Sequence, residues 1–409
     1  MANTLIRGNA TDPRIFPWAS ARDPEQIDRL TSMTGDVTLN QEKLYELGRT
    51  LKLGVHKLTP ACPVTLTQNE YGSMAFWRSL ANMVDPGSGE DEDVTLEDLK
   101  NTIFDISAYM TDEAGTFKGT AYFPKQRLSG FSINIADPDA MVVRSFDLAG
   151  EQCRLIKDSY LAFATQTASG AIETVTLSPV PIEYASGKYI YRVIRDRAGD
   201  VSELVEDSSA PYADNTWHKT GNDIIVQTCV AGDIIKIFYP AATAYTTLWT
   251  DNDSDSDALY ADQCTIYLKV GAGDAEQVYK LQSVTIDAVL DRADYKQIGS
   301  KEVMQTGVNS KTVTVTIGRI LDGFTLEDIL ADVGAYKDIN VEDFPDTITL
   351  LVKIYTDNTK STFKCGYKIS SLSPTALKPL GAAPEAMNTA DNSLEADNFL
   401  VSTDESQIA

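Results

Sequence analysis

The sequence predicts a mainly β protein: two tandem β-sandwich or barrel domains, each with a short flanking helix, and a small all-β domain inserted between them. Three observations lead there. At 409 residues the chain has room for about three domains of ordinary size. Its apolar residues fall in short alternating runs rich in Val, Ile, Thr, Tyr and Phe, bounded by Gly, Pro, Asn and Asp, the pattern of strands and turns. The chain also repeats itself. A shift of 246 positions places Tyr109, Thr116, Phe117, Lys118, Ala136, Pro138, Ala140 and Met141 on Tyr355, Thr362, Phe363, Lys364, Ala382, Pro384, Ala386 and Met387. Those are eight identities over 33 positions, against about two from average composition.

Residues 1–30 carry Pro13, Pro17 and Pro24, which forbid continuous helix, and are expected as an extended arm. The first copy, 31–156, opens on Val37-Thr38-Leu39 and continues through Val64-Thr65-Leu66-Thr67. A short helix follows, with Phe76, Leu80, Ala81 and Met83 on one face. Strands are then expected near Phe104–Met110, Thr116–Phe123, Ser129–Ile135 and Val142–Leu148. In the second copy, 263–409, Val284-Thr285-Ile286 matches the first strand and Val313-Thr314-Val315-Thr316 the second. Leu326, Leu330, Ala331 and Val333 match the helix. Ser73 and Thr325 are candidate N-caps, and Thr325 with Asp328 approximates a capping box. Thr347–Tyr355 and Thr362–Ile369 match the later strands, while Leu372–Val401, richer in Pro and Ala, repeats the first copy less clearly.

Residues 157–262 have no partner in the repeat. Thr174–Leu177, Tyr189–Ile194, Ile224–Val226 and Ile234–Tyr239 read as strands, with no helical periodicity between them, so this insert is expected as a small sandwich or barrel.

Composition removes several classes of function. With 35 Lys plus Arg against 59 Asp plus Glu the net charge is −24, which repels a phosphate backbone and argues against a nucleic-acid binder working through a basic surface. Salt adaptation, solubility by self-repulsion, and a negative wall past which something must slide are the three readings of this acidity. No apolar run approaches the roughly 20 residues that cross a bilayer, and Met1–Ala21 lacks a signal-peptide core, so a soluble, unsecreted product is expected. Cys62, Cys153, Cys229, Cys264 and Cys365 are odd in number and scattered, which fits buried free thiols in a reducing cytoplasm.

Catalytic constellations are missing. His56 and His218 fall in different expected domains, neither beside a nucleophile pattern, and no phosphate-cradling glycine loop is present. No enzyme and no cofactor are expected. Asp251, Asp253, Asp255 and Asp257 alternate like the start of a calcium loop, but Ser256 stands where glycine is required, and a solvated acidic linker is the favoured reading. Phe76, Trp77, Trp249 and Tyr245 are read as core rather than partner anchors.

Val37–Asn40, Tyr45–Gly48, Pro63–Thr67, Tyr71–Trp77 and the Gly115–Gly119 turn, together with the duplication, resemble the major tail tube proteins of tailed bacteriophages and related archaeal viruses. The resemblance covers about Thr31–Ile156 and Cys264–Val401. It implies two tail-tube-type domains whose sheets line a hollow cylinder of stacked rings, three chains supplying the six domains of each ring. It implies a virion protein made in the host cytoplasm, with viral DNA in transit and tape measure and tail terminator proteins as partners, and no membrane. It further implies that the loop Arg49–Cys62 reaches the neighbouring ring, with Arg49, Lys52, His56 and Lys57 as a cationic contact. The insert is expected on the outer wall, for decoration or adhesion. The alternative reading is a non-catalytic acidic binding module whose insert captures a ligand.

Overall fold

The computed structural model describes residues 6–19, 23–39, 41–44, 54–57, 59–83, 93–100, 102–137, 139–209, 212–248, 256–296, 303–320, 329, 345, 347–381 and 389–409. They form a mainly β protein. The first half contains β1 (Ile6–Pro17), β2 (Glu25–Gln26), β3 (Leu30–Gly35), β4 (Gln41–Leu44), β5 (Gly54–Lys57), β6 (Val64–Asn69), α1 (Ala75–Leu80), β7 (Asp93–Thr95), α2 (Leu96–Leu99), β8 (Phe104–Asp112), β9 (Phe117–Ala136), β10 (Val143–Ala149) and β11 (Arg154–Lys157). The insert contributes β12 (Tyr160–Thr167), β13 (Ile172–Thr176), β14 (Arg192–Arg197), β15 (Asp200–Glu206), β16 (Thr216–Thr220), β17 (Asp223–Gln227) and β18 (Ile234–Ala241). The second half holds β19 (Cys264–Val270), β20 (Glu276–Gln277), β21 (Leu281–Lys296), β22 (Val303–Ile320), β23 (Ile348–Tyr355), β24 (Phe363–Gly381), β25 (Thr389–Ala396) and β26 (Leu400–Ser402).

One antiparallel sheet runs through both halves in the order β3-β6-β10-β9-β21-β22-β25-β24. Alternation decides its faces. The row Met33, Leu66, Phe146, Phe131, Ala288, Val313, Ala396 turns inward across seven strands. Against that inner face lie two smaller sheets. In the first half β1, β8, the start of β9 and β11 are neighbours, and in the second β19, β23, the start of β24 and β26 are. Phe76 and Trp77 of α1 fill the space between the layers, Trp77 meeting Phe131 and Phe146 edge-on at 5.0 and 4.9 Å.

β9 and β24 are long because each passes from one layer to the other. Thr116–Phe123 and Ser129–Ile135, expected as two strands, are therefore parts of a single strand. The stretch Val37–Leu39 does not pair as the repeat suggested. The strand facing β6 is Leu30–Gly35, Gly35 already stands opposite Val64 where β6 begins, and Val37 and Leu39 lie exposed beyond it. The counterpart of Ile286 is thus Met33, since Met33 faces Leu66 as Ile286 faces Val315. Met74, not Ser73, is the N-cap of α1, although Ser73 Oγ accepts from the Ala75 amide at 3.1 Å. A capping box forms instead between Thr95 and Asp98 on α2. Thr325, Asp328 and the matching helix residues of the second copy lie outside the described residues.

The insert is a seven-stranded sheet ordered β12-β18-β14-β15-β16-β17-β13, whose edge strands come together. Of the expected strands, Tyr189–Ile194 starts three residues early, because Tyr189–Tyr191 lead into β14 rather than belong to it. β12, β15 and β16 were not expected; their polar stretches mask the alternation. The insert packs on the first half's smaller sheet through Phe16, Trp18, Tyr109, Tyr122, Phe163, Ile194 and Phe238. That sheet is therefore covered twice. Along β8, Phe104 and Ile106 enter the core between the layers, whereas Tyr109 meets the insert. The insert consequently lies on the opposite side of the molecule from the outer face of the eight-stranded sheet.

At Gly130 the backbones of the two halves meet closely. A Cβ there would stand 2.6 Å from the carbonyl oxygen of Ala288 on β21, a backbone atom with no room to retreat. Gly130→Ala is expected to lower stability by about 1–3 kcal/mol, the usual cost of forcing atoms into a packed site. Denaturant unfolding checks it; an unchanged midpoint would show that the β9–β21 junction yields.

Candidate functional site

The outer face of the eight-stranded sheet is a built surface. One row crosses every strand: Ser32, Thr67, Ser145, Ser132, Asp287, Thr314, Glu395 and Ser373 are successive Cα partners. All eight carry a hydroxyl or a carboxylate. Thr65 donates to Asp147 at 2.8 Å, and Thr285 to Asn134 at 3.4 Å, across neighbouring strands. Among the described side chains, the charges across the middle of this face are the carboxylates Asp147, Asp287, Asp391 and Glu395, with Arg127 at one end. Partial burial raises the Asp287 carboxyl above its usual value. Across that middle, hydroxyls and like-charged acids are well solvated and repel a polyanion at close range.

The two ends of this sheet are alike in another respect. Its first four strands, β3-β6-β10-β9, and its last four, β21-β22-β25-β24, have the same order and register: Leu148 faces Val64 as Ala396 faces Val313. The last strand of the first block, β9, pairs with the first strand of the second, β21, from Ala136↔Ser283 to Gly130↔Val289. Among the described residues, β3 at one end and the stretch Ser373–Gly381 of β24 at the other have no further strand partner. Each edge is the counterpart of one half of the internal junction. Burial shows the difference between inside and end. Ile286 is 0% exposed and its counterpart Met33 is only half-buried. Val401, on β26, is 1% exposed because β7 of the first half pairs alongside it, whereas Leu155 on β11, at the matching position, is 77% exposed.

A buried polar cluster fastens the halves. Glu70 Oε1 accepts from the amides of Tyr71 and Gly72 at 3.0 and 2.8 Å. Its Oε2 accepts from Arg144 Nη1 at 3.1 Å and from the hydroxyl of Tyr367, which belongs to the second half. Arg144 also gives Nε to Gln68 Oε1 at 2.9 Å. Burial, and then the charge on Glu70, hold the Tyr367 phenol well above its ordinary value, so it remains the donor.

A second buried charge ties the insert to the first half. Lys236 on β18 is fully buried, and its Nζ donates to the carbonyls of Pro17 at 2.5 Å and Ala19 at 3.4 Å. Burial lowers its pKa to about 7, opposed by the charges of Asp196, Asp23 and Asp105. Between that value and the ordinary 10.5, the unfolded chain holds a proton that the folded chain lacks. Stability therefore rises with pH across this window and is lost as pH falls towards 7, with a slope of at most about 1.4 kcal/mol per pH unit. Lys236→Met should remove this part of the slope in denaturant unfolding between pH 7 and 10; an identical pH profile would contradict the shift.

The residues singled out in the sequence fare unevenly. Phe76 and Trp77 are core. Tyr245 packs on Phe163 at 5.5 Å, and Trp249 lies outside the described residues. Arg49 and Lys52 also lie outside them; His56 and Lys57 sit on β5, which pairs with β4 as a separate two-stranded hairpin. Asp251, Asp253 and Asp255 are outside the described residues, Asp257 is exposed, and no group of three potential metal ligands occurs among the described residues. All five cysteines are free, Cys153 half-buried and the others buried. No helix among the described residues is long and apolar enough to cross a membrane. Neither the sheet edges nor the Glu70 cluster was foreseen. The repeat itself was the available signal for the edges, since two blocks in one register imply two equivalent ends.

No family model and no curated protein matches the sequence. Among solved structures, the chain is similar to the tube-terminating cap of the anti-feeding prophage, at 12% identity and a TM-score of 0.26, over 34% of this chain and 88% of that one.

Proposed function

We propose that the chain is a structural subunit of a virion tail tube, which closes laterally into rings of three chains that stack into a conduit for the viral genome. The observation that carries this reading is the β9–β21 junction: it joins two blocks of the same strand order and leaves β3 and β24 as the complementary halves of the same contact. A head-to-tail contact that recurs with a constant rotation closes a ring. Six blocks, hence three chains, is the number that the resemblance to tail tube proteins implies. The hydroxyl and carboxylate face then lines the lumen, where it passes DNA without holding it, and the insert stands outside. Tape measure and tail terminator proteins would be partners of the finished tube, within the virion. No catalysis is part of this role.

Electron microscopy of the purified full chain tests it. Hollow rings or tubes with three outer projections per layer are expected. A particle of one 44.7 kDa chain at every concentration and salt would overturn the proposal and favour the isolated binding module.

A further inference from the structure

The insert carries a cleft of about 280 Å³, lined by none of the residues of the eight-stranded sheet. It is set between β16, the end of β15 with the loop that follows, and the turn before β14. Its floor is His218, on β16 and 7% exposed. The Tyr212 ring lies flat on the imidazole, 3.5 Å between centroids and 8° between planes, and remains 38% exposed. The stacked pair is a rigid flat platform, apolar over its face and polar at its edge. His218 Nδ1 is shielded from solvent and has no hydrogen-bond partner among the described residues.

The charges around the cleft select the ligand. Lys188 is paired with Glu206, Lys219 sits 4.3 Å over the Tyr189 ring, and the Asp207 carboxylate takes the amides of Ser209 and Ala213. Two cations and two carboxylates balance, so neither a phosphate nor a metal ion finds an excess of opposite charge. What the rim does offer is donors and acceptors side by side above a flat apolar surface. The volume suits one ring rather than a chain of them, being just below the usual range of ligand pockets, about 300–1,000 Å³.

We propose that this cleft binds a neutral sugar residue, a pyranose whose apolar face rests on the exposed face of Tyr212 and whose hydroxyls are met at the rim by the Lys188–Glu206 pair. The site is on the molecule's outer side, opposite the polar sheet face, where a glycan can reach it. It does not depend on the ring proposal.

Titration of the full chain with the methyl glycosides of glucose, galactose, mannose and N-acetylglucosamine tests this, followed by the fluorescence of Trp217, which lines the cleft, and by saturation-transfer NMR. Saturable binding of at least one, near about 1 mM as a single exposed ring contact allows, is expected. Tyr212→Ala should weaken it at least about tenfold, equivalent to about 1.4 kcal/mol, and Tyr212→Phe should retain it. Absence of saturation by all four sugars, unchanged binding in Tyr212→Ala, or competition by inorganic phosphate would overturn the proposal. Micrographs of the native chain separate this outcome from assembly: rings without sugar binding refute only the cleft, and sugar binding by single chains refutes only the rings.

Discussion

Glu70→Ala is expected to destabilise the chain by about 3–5 kcal/mol, the loss typical of removing one partner from a buried ion pair. The substitution leaves the Arg144 guanidinium, 1% exposed, without its counter-charge, and takes the acceptor from two backbone amides and from Tyr367. The low dielectric that makes the intact cluster tight also makes the broken one costly. Because Tyr367 comes from the second half, the effect should extend to how the halves hold together. Urea unfolding of the full chain measures it. The triple variant Glu70→Leu, Arg144→Met, Tyr367→Phe should recover most of the loss, since no buried charge is then left alone. A Glu70→Ala midpoint equal to that of the native chain would mean that the carboxylate contributes nothing net.

Met33→Asp is expected to abolish lateral assembly while leaving the single chain folded. Met33 ends the inward row at the free edge of β3 and is half-buried, so one chain tolerates a charge there. In a closed ring it takes the place that Ile286 holds inside the chain, fully buried against Ile133 of β9. Burying an unpaired carboxylate at that position costs several kcal/mol at every chain-to-chain junction. The partner position follows from register. Leu377 is the Cα partner of Asn392 as Ile133 is of Arg144, so in the proposed ring position 377 of the next chain would stand opposite Met33. Light scattering and negative stain should show single chains for Met33→Asp, and Met33→Asp with Leu377→Lys should assemble again in part. Rings of native abundance from Met33→Asp would place the lateral contact elsewhere.

Strands were legible where burial left its mark on residue order: Val64–Thr67 and Val313–Thr316 alternate because one face is buried, and Phe104–Met110 and Ile234–Tyr239 are largely apolar runs because both faces are covered. Val37–Leu39 misled for the same reason inverted. Its alternation is that of a strand, but pairing with β6 ends at Gly35, and a pattern says nothing about where a partner stops. β15 and β16 escaped notice because Ser202, Glu203, His218 and Lys219 break the apolar pattern, their contacts being supplied by neighbouring strands rather than by sequence neighbours.

The cleft could not be foreseen at all: Tyr212, His218 and Lys188 are scattered in sequence, and stacking and charge balance arise only when β14, β15 and β16 are side by side. The same holds for Glu70, Arg144 and Tyr367, which span 297 positions.

By itself the sequence determined the β class, the acidity and the duplication, since composition, alternation and repeat are properties of residue order. Only the tertiary structure decided that the two copies share one sheet, which edges remain open and which face carries the acids. Those are matters of register between distant strands, fixed by which side chains exclude water together, and no local pattern encodes them.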